Sequence, residues 1–141
     1  METSMVRRGV LETIERARRS AAERRARSDE AAQAYAEFLN QIAIPLVRQL
    51  AGSLKASGYP FGVFTPGGSV RLMSERTAED YIELSLDTSG DTPIVLGHVS
   101  RARGRRIVET ERPIASEPIA GLTEQQVLDF FLRELEPFVE R

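Results

Sequence analysis

The segment Ile82-Glu83-Leu84-Ser85-Leu86 alternates strictly between apolar and polar side chains, and this alternation decides the fold. Successive side chains of a strand point to opposite faces, so the segment predicts a strand with one buried and one wet face. Similar short runs lie on both sides of it, separated by turn-forming clusters at 66–68, 75–80, 88–92 and 102–104. Connections this short leave no room for crossover helices. We therefore predict a four-stranded antiparallel β-meander.

A long helix precedes the predicted sheet. One face of it stays apolar over five turns, through Tyr35, Phe38, Leu39, Ile42, Leu46, Leu50 and Leu54. Pro45 interrupts the hydrogen bonds of a helical backbone, but the apolar stripe keeps its phase across it. We therefore expect a kink there rather than an end. Gly58 and Pro60 then predict the end of the helix.

A second helix follows the sheet, and its start carries a clear signal. Thr123 and Gln126 have the spacing of a capping box, and Leu122 and Val127 have the spacing of a hydrophobic staple. Apolar residues then recur at helical spacing until Pro137, which we expect to end or kink the helix. The predicted fold class is α+β, with a long kinked N-terminal helix, a four-stranded antiparallel meander and a C-terminal helix packed on the sheet.

The first 27 residues differ from the rest of the chain. Residues 1–28 hold eight arginines against four glutamates. A thin apolar stripe recurs at three and four residues; we call it the apolar seam, and it consists of Val6, Val10, Ile14, Ala17 and Ala21. A stripe this narrow suits contact with another helix better than burial in a core. We predict an Arg-rich N-terminal helix at 1–27, an extension or oligomerisation arm, and a single α+β domain at 28–141.

The charges are segregated along the chain although the net charge is only −2. Four arginines surround Gly104, and we call them the arginine tip: Arg101, Arg103, Arg105 and Arg106. On a hairpin turn they present concentrated positive charge to nucleic-acid phosphates or to an acidic partner. The alternatives are a solvated turn that pairs with Glu109, Glu111 or the acidic C-terminal helix, and a general bias of the composition toward Arg and Ala. No aromatic residues interleave with the tip, which argues against base stacking.

Catalytic and cofactor chemistry has little support in the sequence. The chain has no cysteine and a single histidine, His98, so we predict no catalytic residue, no cofactor and no metal site. Asp87-Thr88-Ser89-Gly90 loosely resembles the catalytic loop of aspartic proteases, but that family has Gly directly after the Thr, where this chain has Ser89. We interpret this stretch and Thr65-Pro66-Gly67-Gly68-Ser69 as hairpin turns.

These observations together predict a non-enzymatic module for protein interaction or oligomerisation. The expected partner is the chain itself, as a homodimer or higher oligomer, or another protein. The alternative is a nucleic-acid-associated protein that contacts phosphates through the arginine tip. A third possibility is a small-molecule site between the kinked helix and the sheet. The sequence shows no membrane span and no signal-peptide core, so we expect a cytoplasmic protein.

Overall fold

Five strands form one antiparallel sheet in the order in which they occur in the chain. The structure is a computed structural model, and it describes residues 1–140. The strands are β1 (Phe61–Phe64), β2 (Val70–Ser74), β3 (Tyr81–Asp87), β4 (Ile94–Arg103) and β5 (Arg106–Pro113). The long helices are α1 (Thr3–Phe38), α2 (Ile44–Ala56) and α3 (Glu124–Val139). The fold is thus α+β, with a long N-terminal helix, an antiparallel meander and a C-terminal helix.

The predicted number of four strands is wrong, because the four turns join five strands. The additional strand is β1, which has only four residues and lies between the end of α2 and the turn at Pro66–Gly68. Its sequence, Phe-Gly-Val-Phe, does not alternate between apolar and polar residues, so it lacks the signal that marks β3. Pairing with β2 defines it as a strand, since Phe61 lies opposite Ser74 and Phe64 lies opposite Arg71.

The turn between β4 and β5 is tight. Arg103 and Arg106 face each other in the register, so only Gly104 and Arg105 form the connection. Gly104 has φ of +64°, and no residue other than glycine has a positive φ within residues 1–140. This combination is typical of a type II′ hairpin turn, which requires glycine at its first central position. The turn fixes the place of the arginine tip at one end of the sheet.

The core lies between the helices and one face of the sheet, which we call the inner face. Alternate residues of the central strands are fully buried there, including Val70, Leu72, Ile82 and Leu84. The helix α3 approaches β4 most closely at Gly97, where a Cβ atom would overlap the ring of Phe130. Gly97 therefore allows α3 to pack directly on the sheet.

The helix before the sheet continues through Pro45, as the apolar stripe predicts. A π-helical turn, Leu39–Ala43, joins α1 to α2, and the N–H of Ile44 donates to the carbonyl of Leu39. Pro45 has no N–H to donate, and it lies at the start of α2, where a helix tolerates proline. At α3 the predicted capping box is confirmed, since Thr123 and Gln126 bond to each other's backbone N–H groups.

We expect Gly97→Ala to lower the free energy of unfolding by about 1–3 kcal/mol, because the added methyl group would displace Phe130 from a packed core. Gly52→Ala is the matched control. Gly52 lies exposed within α2 with open space around it, so the same change should raise stability by about 0.5–1 kcal/mol. Urea denaturation of both variants measures the two effects. A Gly97→Ala variant as stable as the wild type would contradict the close packing of α3 on β4.

Candidate functional site

The arm of residues 1–27 is helical from Thr3 onwards, and its first 20 residues are exposed. Every residue from 1 to 20 is exposed, and α1 runs without a break from Thr3 to Phe38. Residues 3–20 alone extend about 27 Å at 1.5 Å per residue. The helix passes the turn between β3 and β4, where Arg24, Arg27 and Ser28 line a small pocket with Gly90 and neighbouring loop residues. The division into an arm and a domain at residue 27 stays a prediction.

The apolar seam is largely uncovered in the chain. Val6, Val10 and Ile14 are 51%, 52% and 42% exposed, and Ala17 is exposed as well. Ala21, the residue of the seam that is nearest to the domain, is partly buried. At 100° per residue, all five residues lie within about 60° of Tyr35 around the helix. The seam therefore continues, past the end of the domain, the same helix face that packs on the core.

Tyr35 anchors the arm to the sheet. It is buried, and its hydroxyl donates to the carbonyl of Gly68 at 2.7 Å and lies 3.4 Å from the carbonyl of Leu84. Burial raises the pKa of Tyr35 to about 12, with a smaller contribution from the negative charge of Glu83. The phenol therefore stays protonated at physiological pH and keeps its role as donor.

The arginine tip projects from the end of the β4–β5 hairpin. Arg103, Arg105 and Arg106 are exposed, and Arg101 is partly buried. No ion pair joins any of the four to a carboxylate within residues 1–140. The strand register shows why Glu109 and Glu111 are not their partners. Both glutamates face away from the inner face, towards which Arg101, Arg103 and Arg106 point.

A groove lies between the tip and the end of α3. It has a volume of about 430 Å³ and is lined by Arg101, Arg103, Pro137 and Glu140 with the hairpin backbone. A smaller groove of about 180 Å³ continues along the inner face beside Arg112 and Glu134. Arg112 and Glu134 lie 3.4 Å apart, although the buried Oε1 of Glu134 accepts no hydrogen bond within residues 1–140. Arginines and glutamates therefore both line this part of the inner face.

The opposite face of the sheet, the outer face, carries a connected polar cluster. Glu83 accepts hydrogen bonds from Ser69 and Arg71, both at 3.0 Å. The guanidinium carbon of Arg71 lies 4.0 Å from the centre of the Tyr81 ring. The ring of Tyr81 stacks on His98 at 5.7 Å. A row of side chains therefore links β2, β3 and β4 across the outer face.

His98 ends this row between two glutamates. Its Nδ1 lies 2.9 Å from Glu111, and its Nε2 lies 3.7 Å from Glu109. Both glutamates come from β5, the neighbouring strand, so their proximity depends on the strand register and cannot be read from the local sequence around His98. No group of residues suited to hold a metal ion occurs in the part of the chain that the structure describes.

The two stretches that we interpret as turns connect strands in the structure. Residues 65–69 join β1 to β2, with positive φ at Gly67 and Gly68. Asp87 ends β3, and its carboxylate accepts hydrogen bonds from the backbone and the hydroxyl of Ser89. These bonds lower the pKa of the exposed Asp87 carboxyl below its ordinary value. Asp87 therefore acts in the structure as the first residue of a turn.

The comparisons with known proteins give no relative. No model of a protein family matches the chain, and neither the curated proteins nor the solved structures contain a match. None of the helices within residues 1–140 is long and apolar enough to cross a membrane.

We expect Tyr35→Phe to lower the free energy of unfolding by about 1 kcal/mol at pH 8, because the Gly68 carbonyl loses its donor. The pKa is raised from 10.0 to about 12 in the folded protein, so this contribution is complete below pH 10 and is lost as the pH rises through 12. The stability difference between wild type and variant should therefore narrow over that range.

Urea denaturation at a series of pH values measures this difference. Tyr81→Phe is the control, since the Tyr81 hydroxyl forms no hydrogen bond within residues 1–140. A difference for Tyr35→Phe that stays constant from pH 9 to pH 12 would contradict the assignment.

Proposed function

We propose that this chain is a non-enzymatic self-association module that works through its N-terminal arm. The exposed apolar seam supports the proposal most directly. Val6, Val10 and Ile14 keep roughly half of their surface in water on a helix that extends past its own domain. Exposure of an apolar stripe to water is unfavourable in free energy, and contact with a second molecule would bury the stripe.

The charge of the arm supports contact with an acidic surface. Residues 3–20 carry five arginines and two glutamates, a balance of +3. One ion pair within the helix, between Arg19 and Glu15, is exposed to solvent and contributes little to stability. The remaining arginines are available to pair with acidic groups of another subunit.

Light scattering on the full chain tests the proposal. We expect a dimer or a higher oligomer at micromolar concentration. Val10→Glu/Ile14→Glu should weaken association by about 100-fold or more, because the interface would then bury two carboxylates without partners. Circular dichroism should show that the helix content is retained.

Leu11→Glu provides the control on the same arm. Leu11 is 57% exposed and lies about 120° around the helix from Tyr35, outside the seam. This variant should associate as the wild type does. A strictly monomeric wild type at high micromolar concentration, with residues 1–27 flexible in solution, would refute the proposal. Equal effects of Leu11→Glu and the seam variant would show that the seam is not the interface.

The arginine tip supports a second candidate function, the binding of nucleic-acid phosphates. The observation behind it is that all four arginines lack a carboxylate partner within residues 1–140, and three of them share one face. Arginine matches the geometry of phosphate oxygens with its planar donors. Binding of this kind is independent of base sequence and falls steeply with salt.

We expect Arg105→Ala/Arg106→Ala to weaken duplex binding and to reduce the slope of log affinity against log salt by about two. Fluorescence anisotropy at several salt concentrations measures both effects. Arg48→Ala/Arg133→Ala is the control, because it removes two exposed arginines outside the arginine tip. It should change the duplex affinity and the salt slope less than Arg105→Ala/Arg106→Ala does. Absence of any duplex or single-strand binding at low salt would dismiss this second function.

A further inference from the structure

The path of α1 determines where a second copy can meet the arm. Tyr35 lies beside Leu84 in the middle of β3, and Arg24 and Arg27 lie beside the turn that follows β3. The helix therefore runs along β3, above the inner face, and leaves the sheet at the β3–β4 turn. Residues 3–20 continue beyond that turn. Their apolar seam lies on the side of the helix that faces the plane of the sheet.

A two-fold axis that is perpendicular to the arm and lies in the plane of the sheet would place a partner's sheet directly beneath the arm. Such an axis turns the second copy over, so that the outer face of its sheet faces the first copy's arm. The same operation places the second arm on the outer face of the first sheet. Both contacts are identical, as a closed two-fold dimer requires.

The outer face has the properties that a basic amphipathic helix needs. It exposes the apolar side chains of Phe64 and Ile107, at 45% and 56%, and leaves Leu96 partly exposed. Four carboxylates and a single arginine share this face by register, which gives a balance of −3 with His98 neutral: Glu83, Asp87, Glu109, Glu111 and Arg71. Residues 3–20 of the arm carry a balance of +3, so the two surfaces are complementary in charge.

Other surfaces fit the arm less well. The inner face beside β5 carries Arg101, Arg103, Arg106 and Arg112, which would repel a basic helix. A second arm carries the same positive balance, and its narrow seam offers fewer apolar contacts than a sheet face does. We propose that the arm of each subunit lies across the outer face of its partner's sheet in a reciprocal dimer. This inference rests on the proposed self-association.

The absence of cysteine from the chain permits a direct test by thiol cross-linking. One variant carries Ile14→Cys in the seam, and the other carries Leu96→Cys on the outer face. The two are mixed, left to exchange subunits and treated with a short bifunctional thiol reagent. We expect roughly tenfold more covalent dimer from the mixture than from either variant alone, because the interface raises the effective concentration of the two thiols.

A mixture of Ile14→Cys with Thr110→Cys is the matched control. Thr110 is exposed on β5 but lies on the inner face, opposite Val99 in the register. This mixture should give no more covalent dimer than random collision of the two variants produces. More cross-linking in Ile14→Cys alone than in the mixture with Leu96→Cys would show that two arms pair with each other. That result would overturn this inference and leave the proposed self-association intact.

Charge reversal gives an independent measurement. Glu109→Arg/Glu111→Arg should weaken dimerisation at least about tenfold, since it places positive charge opposite the arm. Glu117→Arg/Glu124→Arg, two exposed acids away from the outer face, should have a much smaller effect. A dimer that tolerates reversal at 109 and 111 as well as at 117 and 124 would overturn the placement on the outer face. A monomeric wild type would instead refute the proposed function itself.

Discussion

Tyr35 reaches from α1 to the carbonyl oxygens of Gly68 and Leu84, and the direction of the whole arm depends on this contact. The phenol joins the helix to the turn before β2 and to the middle of β3 at the same time. The part of the helix beyond the sheet acts as a lever, because a small rotation at its base moves its far end by many ångströms. The continuous helix through residue 28 carries the orientation set at Tyr35 to the apolar seam.

Strand parity explains how a chain of low net charge presents two strongly charged surfaces. In β5, Arg106 and Arg112 point to the inner face, whereas Glu109 and Glu111 point to the outer face. A single alternating segment thus supplies positive charge to one side of the sheet and negative charge to the other. The net charge of the chain does not reveal this separation, because the positive and negative residues are sorted onto opposite faces only when the strand forms.

Local patterns predict the elements of this fold well, and the limits of the prediction have physical causes. Strict alternation marks β3, and the spacing of Thr123 and Gln126 marks the start of α3, since both signals lie within a few residues. The predicted number of strands was one too low, because β1, before the predicted hairpin turn at 65–69, has only four residues and is defined by its pairing with β2 rather than by its own sequence. The π-helical turn before Pro45 is an adjustment of the backbone that leaves the apolar stripe in phase.

Some of the candidate surfaces can likewise be predicted from the sequence, and others cannot. The seam and the arginine tip are visible in the sequence because their residues are close together along the chain. The outer-face cluster of Arg71, Tyr81, His98 and Glu111 is not visible, because it joins four strands whose residues are distant in sequence. The charged groups around His98 therefore became apparent only from the strand register.

The alternating charges of β5 have a further consequence for the edge of the sheet. The strand is eight residues long and largely exposed, and such an edge can template the pairing of further chains into aggregates. If β5 paired antiparallel with β5 of a second copy, the two registers that pair the most residues would be centred on Glu109 and on Thr110. Each of them sets glutamate opposite glutamate, and the first also sets Arg106 opposite Arg112. The edge therefore repels its own copy, which protects the protein against fibre-like growth while its surfaces remain free for specific contacts.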